Sequence, residues 1–146
     1  MSRHTARIHA FNLIFQFPFH LEWDKALVVE ATEQYLANLQ NLQDLLQGLS
    51  PDEEEYNFIS GEVLGTYTNL SQIDALINQR LKDWDFNRLA KADLALLRLA
   101  IYEILFSSDI SEATAINEAV ELAKVYGTDD SSAFINGVLG QVVRNG

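Results

Sequence analysis

The chain has 146 residues, enough for one domain, and 48% of them are apolar, which is enough to build a hydrophobic core. It contains no cysteine, which excludes disulfides and thiolate metal sites and is consistent with a reducing cytoplasm. No apolar run reaches the ~20 residues of a membrane-spanning helix, and residues 1–10 lack the apolar stretch of a secretory signal, so we expect a cytoplasmic protein with no membrane contact.

Helical periodicity runs through nearly the whole sequence, and strand signals are almost absent. Pro18 should stop the first helix and Gly48 the second, while Ser50 and Glu53 form a capping box around the start of the third. Seven helices with short connections predict an all-α fold of two helical bundles that share a core. The predicted helices span residues 3–17, 24–47, 51–67, 71–81, 89–106, 114–126 and 130–143.

The fifth predicted helix, residues 89–106, is apolar around much of its circumference. Such a helix is typical of a buried core element, so we expect it to be the central one. It contains Arg98, which we expect to be buried against an acid such as Glu121 or Glu103.

The sequence shows no constellation of residues for catalysis. His4, His9 and His20 cluster near the start without an acid or cysteine at a metal-ligand spacing, and no phosphate-binding glycine loop or nucleophile elbow is present. Asp129 and Asp130 are too few for a calcium loop. We therefore predict no enzymatic activity, no metal and no cofactor.

The net charge of −11 is unevenly distributed. Residues 1–20 carry +2 and residues 21–62 carry −9, so a small basic segment opens an acidic protein. Arg3 and Arg7 are four residues apart and share a helix face, and Phe15 could stack on an unpaired base. From these residues alone, a solvated helix face and an aromatic core position are the more common explanations.

The carboxy-terminal half contains blocks whose order and spacing resemble the NusB family of transcription antitermination factors. The resemblance is dense over about residues 89–140 and looser around residues 7–16. The blocks are LRLAIYEIL at 97–105, AINEAVELAK at 115–124, Tyr126-Gly127, Asp130-Ser131 and FINGVL at 134–139.

The resemblance implies one all-α domain over residues 1–146, built from two fused three-helix-bundle-like halves, residues 1–83 and 84–146. It also implies two ligands, a boxA-type single-stranded RNA and the ribosomal protein NusE. With them the family acts on RNA polymerase at ribosomal RNA operons. Members of the family are monomers or homodimers, so a homodimer is also possible for this chain.

The family's functional positions can be carried over to matching residues of this sequence. Its acid before the Leu97-Arg98 pair corresponds to Asp93, which we expect on the NusE-facing side. Its often basic position before the last aromatic is Ala133 here, which removes positive charge. The residues that match RNA-facing positions are Arg3, His4, Arg7, Phe15, Asp130 and Phe134.

Two other functions remain open at this stage. Some RNA methyltransferases carry a NusB-like domain ahead of their catalytic part, but no catalytic domain follows in this sequence, which favours a free-standing factor. The acid excess would also suit a helical protein-interaction module that has no strong RNA binding of its own.

Overall fold

The computed structural model describes residues 1–16, 24–46, 52–81 and 86–145. Within these ranges the chain forms seven α-helices and one 3-10 turn at Phe86–Arg88, and it contains no strand, so the predicted all-α fold is confirmed there. The helices are α1 (Arg3–Gln16), α2 (Lys25–Leu46), α3 (Glu53–Thr68), α4 (Leu70–Arg80), α5 (Lys91–Phe106), α6 (Glu112–Tyr126) and α7 (Ser131–Asn145).

Two helix starts show how short polar side chains set the boundaries. The Asp24 carboxylate accepts hydrogen bonds from the backbone N–H groups of Ala26 and Leu27, at 3.0 and 3.3 Å, and so caps α2. At α3, the Glu55 N–H donates to the Asp52 carboxylate at 2.8 Å, and the Asp52 N–H donates to the Glu55 carboxylate at 3.1 Å. This reciprocal pair is a capping box.

The capping box expected around Ser50 and Glu53 depends on Ser50, which lies outside the described residues. An aspartate cap followed by glutamate three residues later satisfies one N–H at the cap and one at the third helical position, as a serine-based box does. Further predicted boundary residues fall outside the described residues, namely Phe17, Pro18, Gln47, Gly48 and Pro51.

The first of two compact units, Met1–Thr68, contains α1, α2 and α3. In this unit α3 packs against both α1 and α2. The Tyr67 hydroxyl donates a hydrogen bond to the Ile14 carbonyl at 3.2 Å, which ties the end of α3 to the end of α1. The buried apolar side chains of this unit are Ala6, Ala10, Phe11, Leu13, Ile14, Val28, Leu36, Ile59, Val63 and Tyr67.

The second unit, Asn69–Gly146, contains α4 to α7, with α5 at its centre. Nine consecutive residues of α5, Asp93 to Ile101, are buried, a run that no other helix of the described part equals. The helix is covered around its circumference because α4, α6 and α7 all pack against it. The prediction that residues 89–106 hold the most buried helix is therefore confirmed, and the helix begins at Lys91.

The division between the units falls after Thr68, earlier than the sequence-based boundary after residue 83. As a result α4 belongs to the carboxy-terminal unit, which has four α-helices rather than the expected three. The reason is packing and charge: Ile73 and Ile77 of α4 are fully buried, and Asp74 forms an ion pair with Arg98 of α5.

Arg98 is 1% exposed and pairs with Asp74 in a bidentate geometry, with Nε–Oδ1 at 2.9 Å and Nη2–Oδ2 at 2.8 Å. The prediction that Arg98 is buried against an acid is confirmed, and the carboxylate that meets it is that of Asp74 rather than the expected Glu121. Glu121 is exposed and pairs with Lys124 of its own helix at 3.0 Å. A carboxylate on a neighbouring helix can accept two N–H groups from one guanidinium edge at once.

We predict that Asp74→Ala lowers the free energy of unfolding by about 3 kcal/mol, because it leaves the Arg98 charge buried without its carboxylate. Urea denaturation followed by circular dichroism measures this change. The exposed turn residue Asp109 provides a matched control, and Asp109→Ala should shift the free energy by less than about 0.5 kcal/mol. Equal effects of the two substitutions would contradict this role of the ion pair.

A second prediction concerns His9, whose Nδ1 lies 2.9 Å from the Tyr35 hydroxyl of α2. Burial lowers the pKa of His9 below its ordinary value of 6.5. His9 is therefore protonated more readily in the unfolded chain than in the folded chain. Its contribution to stability is fully present above pH 6.5 and is lost as the pH drops through the lower pKa of the folded state. His9→Gln should flatten the decline in unfolding free energy between about pH 7 and pH 5. An unchanged dependence of the unfolding free energy on pH would contradict this role of His9.

Candidate nucleic-acid interface

Arg3 offers an exposed positive charge at the first residue of α1. Its guanidinium carbon lies 4.1 Å from the centroid of the Phe58 ring on α3, a cation–π geometry. One guanidinium nitrogen, Nη2, also lies 3.6 Å from Oε1 of Glu54. The Arg3 side chain is 50% exposed, so its charge can be reached from solvent.

Arg7 faces the same aromatic ring but has a different environment. Its guanidinium carbon is 5.6 Å from the Phe58 centroid, so the expected common face of Arg3 and Arg7 is confirmed. Arg7 is only 2% exposed, however, because α3 packs over this part of α1. That burial does not support the expected phosphate contact of Arg7 and indicates instead that it holds α1 against α3.

His4 and Phe15 lie at opposite ends of α1. His4 is exposed beside Arg3. Phe15 is 43% exposed, and its ring centroid lies 6.0 Å from that of the buried Phe11 at an angle of 43°. Phe15 lies twelve positions after Arg3 in the helix, about 18 Å along the axis. Phe15 therefore presents an aromatic surface well away from the arginine.

The first turn of α3, which carries the Glu54 neighbour of Arg3, is acidic. Glu53, Glu54 and Glu55 occupy this turn, where the positive end of the helix dipole stabilises them. The Met1 ammonium, 2.8 Å from Oε2 of Glu55, lowers the pKa of that carboxyl, and the Asp52 N–H lowers it further. Glu55 is thus engaged by its own partners, while Glu54 is the acid next to Arg3.

Asp130 and Phe134 lie one turn apart at the start of α7. The Asp130 carbonyl accepts the Phe134 N–H at 3.1 Å; the residue Asp130 is exposed and Phe134 is half-buried. The preceding turn is closed by a hydrogen bond from the Thr128 N–H to the Ser131 hydroxyl at 2.9 Å. A Cβ at Gly127 would collide with the Ser131 side chain and come within 2.9 Å of the Ala123 carbonyl, so glycine is required there.

Asp93 lies in the first turn of α5 and is only 9% exposed. Its Oδ1 has no hydrogen-bond donor among the described residues. Buried carboxylate oxygens are normally paired, so this oxygen could accept a donor from elsewhere.

The structure brings some of the expected site residues together and leaves others separate. In the amino-terminal unit, Arg3 and Arg7 both lie against Phe58, the exposed His4 follows Arg3 in the chain, and Phe15 lies about 18 Å from Arg3 along α1. In the carboxy-terminal unit, Asp130 and Phe134 lie one turn apart at the start of α7, and Asp93 lies in the first turn of α5. The sequence analysis missed Phe58 and Glu54. Their place beside Arg3 depends on the packing of α3 against α1, for which no local pattern gives a signal.

The described residues contain no group of three or more histidine, cysteine, aspartate or glutamate side chains arranged to hold a metal ion. None of their helices has the length and apolar character needed to cross a membrane.

Comparison with known proteins identifies relatives over nearly the full length of the chain. A family model described as the NusB family matches residues 4–144. The transcription antitermination protein NusB of Carboxydothermus hydrogenoformans is 42% identical over 147 residues, covering 99% of this chain and 94% of the relative. The protein of the same name from Agathobacter rectalis is 40% identical over 141 residues, covering 97% and 98%.

Solved structures agree with the sequence relatives. The structure described as T. maritima NusB has a TM-score of 0.77 and 33% identity, covering 99% of this chain and 92% of that one. A structure of NusB and NusE in complex with dsRNA has a TM-score of 0.73, but its 23% identity supports the fold alone. Since the family model and the relatives both span almost all of its residues, the chain belongs to the NusB family.

Proposed function

We propose that this chain is a non-enzymatic transcription antitermination factor that binds a boxA-type single-stranded RNA together with the ribosomal protein NusE. The observation that carries the proposal is the full-length similarity, about two residues in five, to proteins named for antitermination. In this function the complex would act on RNA polymerase at ribosomal RNA operons.

On the RNA side, we assign phosphate contact to Arg3 and His4, because both are exposed at the start of α1. Phe15 offers a partly exposed ring for base stacking, which proteins use to hold unpaired bases. Asp130 and Phe134 would contribute from the start of α7. Arg7 supports the site indirectly, by packing beneath Arg3 on the Phe58 ring.

On the partner side, the net charge of −11 would steer a basic ribosomal protein towards this chain. Asp93 is the residue we assign to this contact, since a donor from the partner would satisfy its Oδ1. A NusB protein with the same fold has been crystallised with NusE and RNA, which supports the joint assembly.

A second candidate function is a protein-interaction module without strong RNA binding of its own. The observation in its favour is electrostatic: of the two arginines in the basic segment, Arg7 is buried and Arg3 has a glutamate neighbour. Titration of a fluorescent boxA RNA, with and without NusE, distinguishes the two functions. Binding that requires Arg3 supports the RNA-binding factor.

We predict that Arg3→Gln weakens RNA binding and reduces the slope of log affinity against log salt by about 0.7, the value for one phosphate on a single strand. The slope is measured by fluorescence anisotropy between about 50 and 200 mM salt. Because only one of the two arginines is accessible, the change corresponds to one phosphate contact rather than two.

Lys25 provides the matched control for this prediction, since it is an exposed base in the same unit, at the start of α2. Lys25→Gln removes the same charge from the chain and should leave the slope as it is. If both variants changed the slope equally, the effect would come from net charge, and the assignment of Arg3 would be wrong.

A further prediction follows from the scarcity of accessible positive charge. Adding NusE should raise RNA affinity at least tenfold, or about 1.4 kcal/mol, because the partner adds phosphate contacts in the same complex. Asp93→Asn should reduce this gain without changing the affinity of the isolated protein for RNA. Nanomolar RNA binding by the isolated protein at about 150 mM salt would contradict the dependence on a partner.

A further inference from the structure

The exposed arginine of the proposed RNA surface already has a carboxylate neighbour in the free protein. Arg3 Nη2 and Glu54 Oε1 are 3.6 Å apart, and their side chains are 50% and 83% exposed. Resting on the function proposed above, we propose that Glu54 restrains RNA binding, because it competes with an RNA phosphate for Arg3. Glu54 thereby sets how strongly this surface binds a phosphate backbone.

The contact between Arg3 and Glu54 can be displaced easily. It is longer than a charge-assisted hydrogen bond, and ion pairs this exposed contribute little to stability. Arg3 is also held independently, since its guanidinium lies 4.1 Å from the Phe58 centroid. Phe58 therefore keeps Arg3 in position when Glu54 moves away, and the guanidinium edge becomes available to a phosphate.

Among the three acids of this helix turn, Glu54 is the one suited to such competition. Glu55 is committed to the Met1 ammonium at 2.8 Å and to the capping box with Asp52. Glu53 is exposed and adjacent in sequence, but the structure records no contact between it and Arg3. The difference between Glu53 and Glu54 is therefore one of geometry, not of residue type or helix position.

Glu54 lowers the affinity for RNA in two ways. A phosphate that approaches Arg3 must first replace the Glu54 carboxylate, and then it remains close to that like charge. The competition and the repulsion both weaken as salt screens charges that are exposed to solvent. The ligand class concerned is the phosphate backbone of a single-stranded RNA, and the effect does not depend on the base sequence.

The test compares Glu54→Gln with Glu53→Gln by anisotropy titration of a boxA-type RNA oligonucleotide with the full chain. Glu54→Gln should raise affinity about fivefold at about 50 mM salt and about twofold at about 200 mM. Glu53→Gln removes the same charge from the same turn, so it should cost similar stability but raise affinity much less. Unfolding midpoints of the two variants verify that they are matched.

A third and a fourth variant separate the contact from general charge. In an Arg3→Gln background, Glu54→Gln should give no more gain than Glu53→Gln. A gain that persists without Arg3, or equal gains from the two glutamates, would overturn the restraint and leave the proposed function intact. Absence of RNA binding by the unsubstituted chain, with and without NusE, would overturn the proposed function and this inference with it.

Discussion

The bidentate ion pair between Arg98 and Asp74 ties α4 to the central helix of the carboxy-terminal unit, α5. A guanidinium that is almost fully buried is costly unless a carboxylate meets it with good geometry, and Asp74 supplies that carboxylate from α4. This pair and the buried Ile73 and Ile77 hold α4 in the carboxy-terminal unit, where α4, α6 and α7 all pack against α5. The enclosure explains why an arginine occurs within nine consecutive buried residues. The helix α7, whose first turn carries Phe134, packs against the other helices of this unit.

In the amino-terminal unit a single aromatic ring organises the basic segment. Phe58 accepts the guanidinium groups of both Arg3 and Arg7, but the two arginines serve different purposes. Arg7 lies under α3 and contributes to packing, while Arg3 lies at the open end of α1 and keeps its charge in solvent. A face with two arginines in the sequence is therefore a surface with one accessible arginine in the structure.

This reduction in accessible charge links the structure to the proposed function. A chain with a net charge of −11 repels an RNA backbone, and one exposed arginine beside Glu54 offsets little of that repulsion. In the proposed function, the same acid excess would attract a basic protein, so affinity for the partner and weak affinity for RNA would have one electrostatic cause. Joint assembly with that partner is the way in which the proposed function would give specific RNA binding.

The sequence by itself determined the helices, the burial of residues 89–106 and the shared face of Arg3 and Arg7. These features depend on side chains a few positions apart, and the resemblance to the family supplied the remaining candidate residues. Only the tertiary structure decided which acid pairs with Arg98, that Phe58 lies beside Arg3, and that Arg7 is covered. Each of these contacts depends on which helices pack together, and residues far apart in the chain meet there without leaving a local pattern in the sequence.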